Sequence, residues 1–228
     1  MMRRNIALAI TLILISTLGV GIAPSSADEL QRFDKGEDKV VCKPIREPSG
    51  MGRGFTASSR EIVLPKRMLR QSPGIIELLT NCGTVEIRPE FNRAPAAVTF
   101  FNSLIQNKFY DGTSCHRLTT DLTRFLQCGD PTATGLGDKV FTYSKENLPR
   151  NRKGVYKKGT VVVQSRQGIS SQFLIFYEDT VLGPSYSIWG TVISGLEILQ
   201  YVAEGGVEGG GTDGSPVIPL QIIRITTR

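Results

Sequence analysis

The sequence is poor in the residues and motifs that hold metals and nucleotides. Its 228 residues include one histidine, one tryptophan and four cysteines. No CxxC pair occurs, and the histidine stands beside Cys115 without a metal-ligand repeat, which argues against zinc. The glycine-rich stretch EGGVEGGGTDG (204–214) lacks the GK[ST] ending of a phosphate-binding loop and follows a predicted helix, so we predict a flexible surface loop there. No metal or cofactor is expected.

Basic residues are not concentrated in a stripe. The formal net charge is +6, and two of the positive charges are Arg3 and Arg4. The others are scattered and lack the interleaved aromatic residues of a nucleic-acid-binding surface, so nucleic acid is not an expected partner. With 40% hydrophobic and 21% charged residues, the chain can bury an ordinary globular core.

Residues 1–27 have the pattern of an export signal. A short positive segment, MMRRN, precedes the apolar stretch Ile6–Ala23, and Ser25, Ser26 and Ala27 supply the small residues of a cleavage site. The competing interpretation is an uncleaved membrane anchor, because 18 residues is near the lower limit for spanning a bilayer. Cleavage after Ala27 is favoured, and both interpretations predict an extracytoplasmic, secreted or envelope-associated protein.

Export changes the meaning of the four cysteines. An even number of cysteines in an exported chain favours two disulfides. The sequence alone permits three pairings. If Cys115 and Cys128 lie on paired strands, they are the natural partners, which leaves Cys42 with Cys82.

The remaining chain divides into an irregular part and an ordered part. We interpret residues 28–74 as a linker or surface extension with a possible short strand at Glu61–Leu64. Many short strands and only two helices then predict a mainly β domain over 75–228, a closed antiparallel barrel with plugged ends. The predicted strands are Ile75–Leu79, Thr84–Arg88, two strands around a turn at Thr119–Leu122, 160–165, 171–177, Ser187–Val192 and Val217–Thr226, and the predicted helices are 95–107 and Ile193–Glu204.

The order of short motifs in this domain resembles the cyclophilin family of peptidyl-prolyl cis-trans isomerases. The motifs are FYDGT followed by CHR, then LQCGDP, GTVVV, SSQFLIFY and YSIWGTV before a helix. CHRL and LQCGDP are similar to exported or membrane-attached actinobacterial members. The resemblance spans about residues 75–228 and implies a closed eight-stranded antiparallel β-barrel capped by two α-helices, acting as a monomer that binds peptide along one outer face.

The resemblance also assigns roles to individual residues. Arg117 takes the place of the essential arginine, which donates a hydrogen bond to the prolyl nitrogen, and Gln127 takes that of the glutamine that holds the guanidinium. These two residues are the predicted catalytic pair. For His116 we favour a structural hydrogen-bonding role over that of a catalytic base, because the reaction moves no proton. The residues assigned to substrate binding are His116, Phe125, Gln164, Ser165, Gln172, Leu174, Leu182 and Tyr186.

Three departures from the family pattern predict weaker binding. The run QSRQGISSQFL is shorter than usual, Leu174 replaces the aromatic residue of the pocket floor, and Arg124 stands where an apolar ring is usual. The first hypothesis is therefore an isomerase that assists the folding of exported, proline-containing clients and can bind cyclic peptide inhibitors of the cyclosporin type. The alternatives are a non-catalytic proline-peptide binding module, or an envelope chaperone or scaffold that docks a partner through residues 28–74.

Overall fold

The computed structural model describes residues 39–45, 65–136, 140–141, 145–150, 153–163 and 169–228, without the side chains of residues 140, 141 and 169. The export signal predicted at 1–27, the strand predicted at Glu61–Leu64 and much of the extension predicted at 28–74 lie outside these ranges. Residues Lys39–Arg228 form one compact unit. In the described ranges, no helix has both the length and the apolar character needed to cross a membrane.

Short strands predominate in the described part of the chain, and two α-helices interrupt them. The helices are α1 (Pro95–Gln106) and α2 (Leu196–Glu204), and a 3-10 turn covers Glu208–Gly210. The strands are β1 (Ile76–Thr80), β2 (Gly83–Pro89), β3 (Arg117–Thr120), β4 (Arg124–Cys128), β5 (Val140–Phe141), β6 (Val155–Tyr156), β7 (Thr160–Val163), β8 (Ile169–Ser170), β9 (Phe173–Phe176), β10 (Thr180–Val181), β11 (Ser187–Ser194), β12 (Asp213–Gly214) and β13 (Ile222–Thr227).

Nine of these strands form one curled antiparallel sheet in the order β12-β3-β4-β9-β7-β11-β2-β1-β13, and β10-β6 and β5-β8 form two small pairs. Without the two-residue β12 the sheet has eight strands, the number expected. Backbone hydrogen bonds also join the segments that lead into β3 and β13: Gly112 donates to Ile222 at 2.8 Å and Cys115 to Leu220 at 2.9 Å. The end of the sheet that contains β3 therefore curls back towards the end that contains β13. The mainly β fold with two helices is confirmed, and a fully closed barrel stays a prediction.

Two predicted boundaries are wrong by three residues or more. Helix α2 begins at Leu196 rather than Ile193, because β11 continues to Ser194 and Gly195 then turns the chain with φ +82°. A side chain at Gly195 would lie 2.4 Å from the carbonyl oxygen of Thr84, so the turn requires glycine. The last strand begins at Ile222 rather than Val217, since the backbone of Val217 bonds to Gly206 instead of to a neighbouring strand.

The sheet is apolar on both faces, and each face has its own cluster. Leu118, Leu126, Ile175 and Val161 lie opposite one another on β3, β4, β9 and β7, and they belong to the main core with the buried residues of both helices. Side chains alternate between the faces along a strand. The intervening residues therefore point to the other face, where a second, smaller apolar cluster has formed.

Candidate functional site

A row of residues crosses five strands on this second face. Arg117 on β3 pairs with Gln127 on β4, which pairs with Leu174 on β9; Leu174 pairs with Val162 on β7, and Val162 with Ile188 on β11. One end of the row is therefore polar and the other apolar. The hairpin predicted to bring Arg117 and Gln127 together is confirmed.

Two disulfides fix the hairpin and the chain that precedes the domain. Cys115 is bonded to Cys128 at the base of the β3–β4 hairpin, and both residues are buried. Cys42 is bonded to Cys82, which follows β1. Both predicted pairings are confirmed, and the first holds together the two strands that carry Arg117 and Gln127.

Three neighbours fix the position of the Arg117 guanidinium. Its Nε and Nη2 donate to the two carboxylate oxygens of Asp213 at 2.6 and 2.7 Å, and its Nη1 donates to Oε1 of Gln127 at 3.3 Å. The guanidinium carbon lies 5.3 Å from the centre of the Phe125 ring. Hydrogen bonding to Asp213 raises the pKa of Arg117 and lowers the pKa of Asp213, so both groups stay charged.

A chain of amides continues from Gln127 into the protein. Gln127 Nε2 donates to Oε1 of Gln172 at 2.6 Å, and Gln172 Nε2 donates to the carbonyl oxygen of Gly135 at 3.1 Å. Both glutamines are almost fully buried. Because each amide has a fixed donor and acceptor side, this chain presents an oxygen of Gln127 to Arg117.

The carboxylate of Asp130 holds the loop that supplies the Gly135 carbonyl. Asp130 is completely buried and accepts hydrogen bonds from the backbone N–H groups of Thr132 at 2.7 Å, Thr134 at 3.1 Å and Gly135 at 2.6 Å. A buried carboxylate needs such donors to offset its desolvation. The orientation of Gln172 therefore depends on Asp130 through the loop.

The apolar end of the row, which we call the outer cluster, contains Phe125, Leu174, Leu182 and Tyr186. These four residues were assigned to substrate binding, and together they are the predicted socket for the proline ring. The buried members of the outer cluster are Phe125, Tyr156, Val162, Leu174 and Phe176, and Leu182, Tyr186 and Ile188 pack at its border. Phe125 and Leu174 expose only 3% and 2% of their surface, so the floor of the predicted socket is nearly covered.

Tyr156 joins the floor of the outer cluster to its border. Its ring stacks on Phe176 with ring centres 5.0 Å apart. Its hydroxyl donates to the carbonyl oxygen of Gly183 at 2.9 Å, and the carbonyl oxygen of Tyr186 is a second acceptor at 3.3 Å. Burial raises the pKa of Tyr156 to about 12, so the hydroxyl keeps its proton and remains a donor. Tyr156 thus anchors the segment that carries Leu182 and Tyr186.

The remaining sequence predictions divide into three cases. His116 lies beside Arg117, and its backbone N–H donates to the carbonyl oxygen of Gln127 at 3.0 Å. In the described part of the chain neither of its buried ring nitrogens has a hydrogen-bond partner, so no side-chain bond supports its expected structural role. Arg124 lies opposite Thr120 and, with Tyr177 and Gln200, lines a cavity of about 490 Å³ next to α2 rather than the outer cluster. Gln164 and Ser165 lie outside the described residues.

Sequence reasoning missed three residues of this site: Asp213, Asp130 and Tyr156. Asp213 was assigned to a loop, and nothing in TDG indicates a strand of two residues. Asp130 carries a weak signal, because Asp followed by Pro and Thr is common in turns in which a carboxylate accepts nearby N–H groups. Tyr156 lies in another two-residue strand, which has too few residues to show a periodic pattern.

Curated relatives of this chain include two mycobacterial proteins. It is 36% identical over 163 residues to the probable peptidyl-prolyl cis-trans isomerase B of Mycobacterium tuberculosis, covering 66% of this chain and 53% of that protein. The corresponding protein of Mycobacterium leprae is 34% identical over 158 residues, covering 64% of this chain and 54% of that protein. The chain thus spans about half the length of the curated relatives it matches.

Solved structures support the fold. A cyclophilin type peptidyl-prolyl cis-trans isomerase of Cryptosporidium parvum, crystallised in the presence of the dipeptide Ala-Pro, superposes with a TM-score of 0.58 and 24% identity, covering 68% of this chain and 98% of that one. A cyclophilin of Hirschia baltica superposes with a TM-score of 0.53 and 18% identity, covering 71% of this chain and 76% of that one.

The family model described as cyclophilin type peptidyl-prolyl cis-trans isomerase/CLD matches residues 75–227, about the range over which the motif order suggested the resemblance. This match covers more than half of the chain and includes every residue of the site described above. The chain belongs to the cyclophilin family.

Proposed function

We propose that this protein is a peptidyl-prolyl cis-trans isomerase and that Arg117 is its catalytic residue. The observation that carries the proposal is the position of the Arg117 guanidinium, 5.3 Å from the face of Phe125 and hydrogen-bonded to Gln127. A fixed cation thus stands where the polar end of the row meets the outer cluster. Mycobacterial relatives named as such isomerases support the same activity.

The reaction requires a twisted peptide bond to be stabilised. Resonance gives the bond a rotation barrier of about 18–20 kcal/mol, and an uncatalysed X-Pro bond isomerises in roughly 10–100 s. In the twisted state the nitrogen becomes pyramidal and its lone pair can accept a hydrogen bond. A donor that bonds this lone pair only in the twisted state lowers the barrier without any covalent step.

The guanidinium of Arg117 retains donors for this task. Arginine has five N–H donors and no acceptor. The contacts to Asp213 and Gln127 use three of them, so two remain for a substrate. One serves the prolyl nitrogen as it becomes pyramidal, and the other serves the carbonyl oxygen of the proline.

The substrate in this proposal is an extended peptide whose proline ring enters the outer cluster between Leu182 and Tyr186. Two observations support it: these residues border the apolar floor, and a structural neighbour was crystallised in the presence of Ala-Pro. The physiological clients are proline-containing proteins that fold outside the cytoplasm. The signal-like residues 1–27 and the two disulfides, which persist in oxidising compartments, are the basis for that location.

One observation favours a second candidate, a module that binds proline peptides without turnover. Phe125 and Leu174 are 3% and 2% exposed, so a proline ring reaches them only if the side chains that cover them move. If that movement is slow, the site binds peptide but gains little in rate.

A protease-coupled assay on a neutral X-Pro peptide distinguishes the two candidates. We expect wild type to accelerate isomerisation and Arg117→Ala to lower kcat/KM by about 10- to 150-fold, the loss expected for one charge-assisted hydrogen bond in the transition state. Arg224→Ala is the matched control, because Arg224 is an exposed arginine of β13 away from the site, and it should keep wild-type activity.

A wild-type rate equal to the uncatalysed rate would overturn the isomerase proposal. Chemical-shift changes at Leu182 and Tyr186 on adding the same peptide would then support the binding module. Full activity in Arg117→Ala would instead overturn the assignment of Arg117.

A further inference from the structure

The glycine-rich loop, residues 204–214, has a defined path through the structure. Val207 is buried in the main core, Glu208 N–H donates to the carbonyl oxygen of Ser215 at 2.8 Å, and Gly210 N–H donates to that of Val207 at 3.0 Å. Gly209 and Gly210 are both left-handed, with φ of 75° and 73°, a succession that side chains other than glycine disfavour. The glycines thus shape a specific turn.

This turn delivers Asp213 to a fixed place on the sheet. Strand β12 pairs with β3 so that Asp213 lies opposite Thr119 and Gly214 opposite Leu118, and Thr120 N–H donates to the carbonyl oxygen of Thr212 at 2.9 Å. Arg117 is two residues before Thr119 and is therefore the diagonal neighbour of Asp213 on the same face, within reach of a long side chain. The short strand explains the two-oxygen contact between Asp213 and Arg117.

We propose that Asp213 is a positioning residue for Arg117 and that the backbone turn of the glycine-rich loop holds Asp213 in place; this inference rests on the proposed function. Gln127 makes one contact of 3.3 Å to the guanidinium, whereas Asp213 makes two contacts of 2.6 and 2.7 Å along one edge. Two parallel bonds to a planar carboxylate fix the plane of the guanidinium as well as its position. The two remaining N–H donors then keep a constant direction.

The negative charge of Asp213 also has an opposing effect, since a carboxylate weakens the positive field of the guanidinium. The side chains of Arg117 and Asp213 are 41% and 52% exposed, so water and salt screen this field strongly. Removal of the carboxylate removes two of the three hydrogen bonds that restrain the guanidinium and leaves only the longer contact to Gln127. Positioning is therefore the larger effect, and removal of Asp213 should lower activity.

The experiment compares Asp213→Ala, Asp213→Asn and Asp213→Glu with wild type in the X-Pro assay. We expect kcat/KM to be lower by about 1.5- to 5-fold in Asp213→Ala, the range expected for an exposed ion pair, with a smaller loss in Asp213→Asn and partial rescue in Asp213→Glu. The loss should fall on kcat rather than KM, because the contact of Arg117 with the nitrogen is strongest in the twisted state. Glu208→Gln, in the same loop, is the matched control and should be unchanged.

Salt dependence supplies a readout that a purely structural role would not change. Raising the ionic strength from about 0.01 to about 1 M shortens the Debye length from about 30 to about 3 Å. Wild-type kcat/KM should fall more over this range on a neutral peptide than that of Asp213→Ala. The difference between the two proteins should therefore narrow at high salt.

A second readout follows Arg117 itself. The side-chain Nε–H signal of Arg117 should be rigid in wild type and in Glu208→Gln and mobile on the ps–ns timescale in Asp213→Ala, with the unfolding midpoint of each variant recorded to verify the fold.

The outcomes separate the inference from the proposed function. If wild type is active and Asp213→Ala has equal or higher kcat/KM, or the same salt dependence as wild type, the positioning role of Asp213 is wrong. If wild type does not exceed the uncatalysed rate, the isomerase proposal itself fails. The mobility of the Arg117 side chain still tests the restraint by Asp213 in that case.

Discussion

His116 is a half-buried residue next to the proposed catalytic arginine, and both nitrogens of its ring are buried. Burial lowers its pKa, the carboxylate of Asp130 acts in the opposite direction, and the positive charge of Arg117 lowers the pKa further. A ring with a lowered pKa and no hydrogen-bond partner in the described residues is held neutral at pH 7. The folded protein therefore resists protonation at this position.

This environment predicts a pH dependence of stability with a definite sign. Because the unfolded state titrates near 6.5 and the folded state below that value, the unfolded state binds more protons between the two pKa values. The free energy of unfolding should be constant above about pH 6.5 and should decrease as the pH falls from there towards the lowered pKa. Urea unfolding at a series of pH values between about 5 and 8 measures this change.

The sequence offers a clean control for that measurement, since His116 is the only histidine in the chain. The variant His116→Gln should lose most of the pH dependence above pH 5, and one imidazole resonance in the proton spectrum reports the pKa directly. An ordinary pKa near 6.5, or the same pH dependence in His116→Gln, would show that burial does not control this residue.

At the residue scale, the site could be predicted where a motif carries it. Arg117, Gln127 and Gln172 were identified because CHR, LQCGDP and SSQF resemble motifs of the cyclophilin family, and the strand register brings these residues together. Asp213 and Asp130 could not be identified in this way. Their roles depend on a two-residue strand and on a loop conformation, which leave no periodic signal in a sequence.

The N-terminus of α1 shows the same limit at the scale of an element. The residue before the helix, Ala94, has no side-chain acceptor, and the free N–H groups of Ala96 and Ala97 donate instead to the two oxygens of Glu146 at 3.1 and 3.0 Å. Glu146 reaches this position because its backbone N–H donates to the hydroxyl of Ser187 on β11 at 3.0 Å. The helix was predictable from Pro95 and its apolar spacing, but a cap 50 residues away was not.

This contact predicts a specific loss of stability. Glu146→Ala should reduce the free energy of unfolding by about 1–2 kcal/mol, because it leaves two N–H donors unbonded and removes a negative charge from the positive end of the helix dipole. Glu146→Gln keeps one acceptor oxygen and should lose less. Chemical unfolding measures both changes.

Glu197, which is exposed in the first turn of α2, provides the matched control. The variant Glu197→Gln should change the free energy of unfolding by no more than about 0.5 kcal/mol, as is usual for a surface substitution. Equal effects of Glu146→Gln and Glu197→Gln would mean that the contact of Glu146 with the first N–H groups of α1 stabilises the fold only through its charge.

At the scale of the whole molecule, the segment Lys39–Ile45 is fastened to the domain although it precedes the range of the family match. The Cys42–Cys82 disulfide holds it, and Asn81 adds hydrogen bonds. The backbone carbonyl of Asn81 accepts from the backbone N–H of Lys43 at 2.8 Å. The side-chain amide of Asn81 donates to the backbone carbonyl oxygens of Lys43 and Pro219, each at 3.1 Å. None of these bonds involves Arg117 or Gln127. The tether and the site are therefore separable.

The two disulfides should accordingly have different consequences when each is replaced by a pair of serines. The Cys42–Cys82 bond spans 40 residues and the Cys115–Cys128 bond 13, so the chain-entropy estimate gives losses of about 4 and about 3 kcal/mol in the free energy of unfolding.

Activity should show the opposite order. The Cys42→Ser/Cys82→Ser protein should keep wild-type kcat/KM below its unfolding temperature. The Cys115→Ser/Cys128→Ser protein should lose activity, because the strands that hold Arg117 against Gln127 are no longer joined.

The assay is to be run at a temperature at which urea titration shows each protein to be fully folded, so that loss of activity reports the hairpin and not unfolding. Equal activity losses in the two variants would mean that the whole molecule, rather than the β3–β4 hairpin, sets the geometry of Arg117. Unchanged activity without the Cys115–Cys128 bond would mean that backbone pairing and the Asp213 contact suffice to hold the arginine. The first result would couple the tethered segment to the site, and the second would leave the hairpin disulfide a role in stability alone.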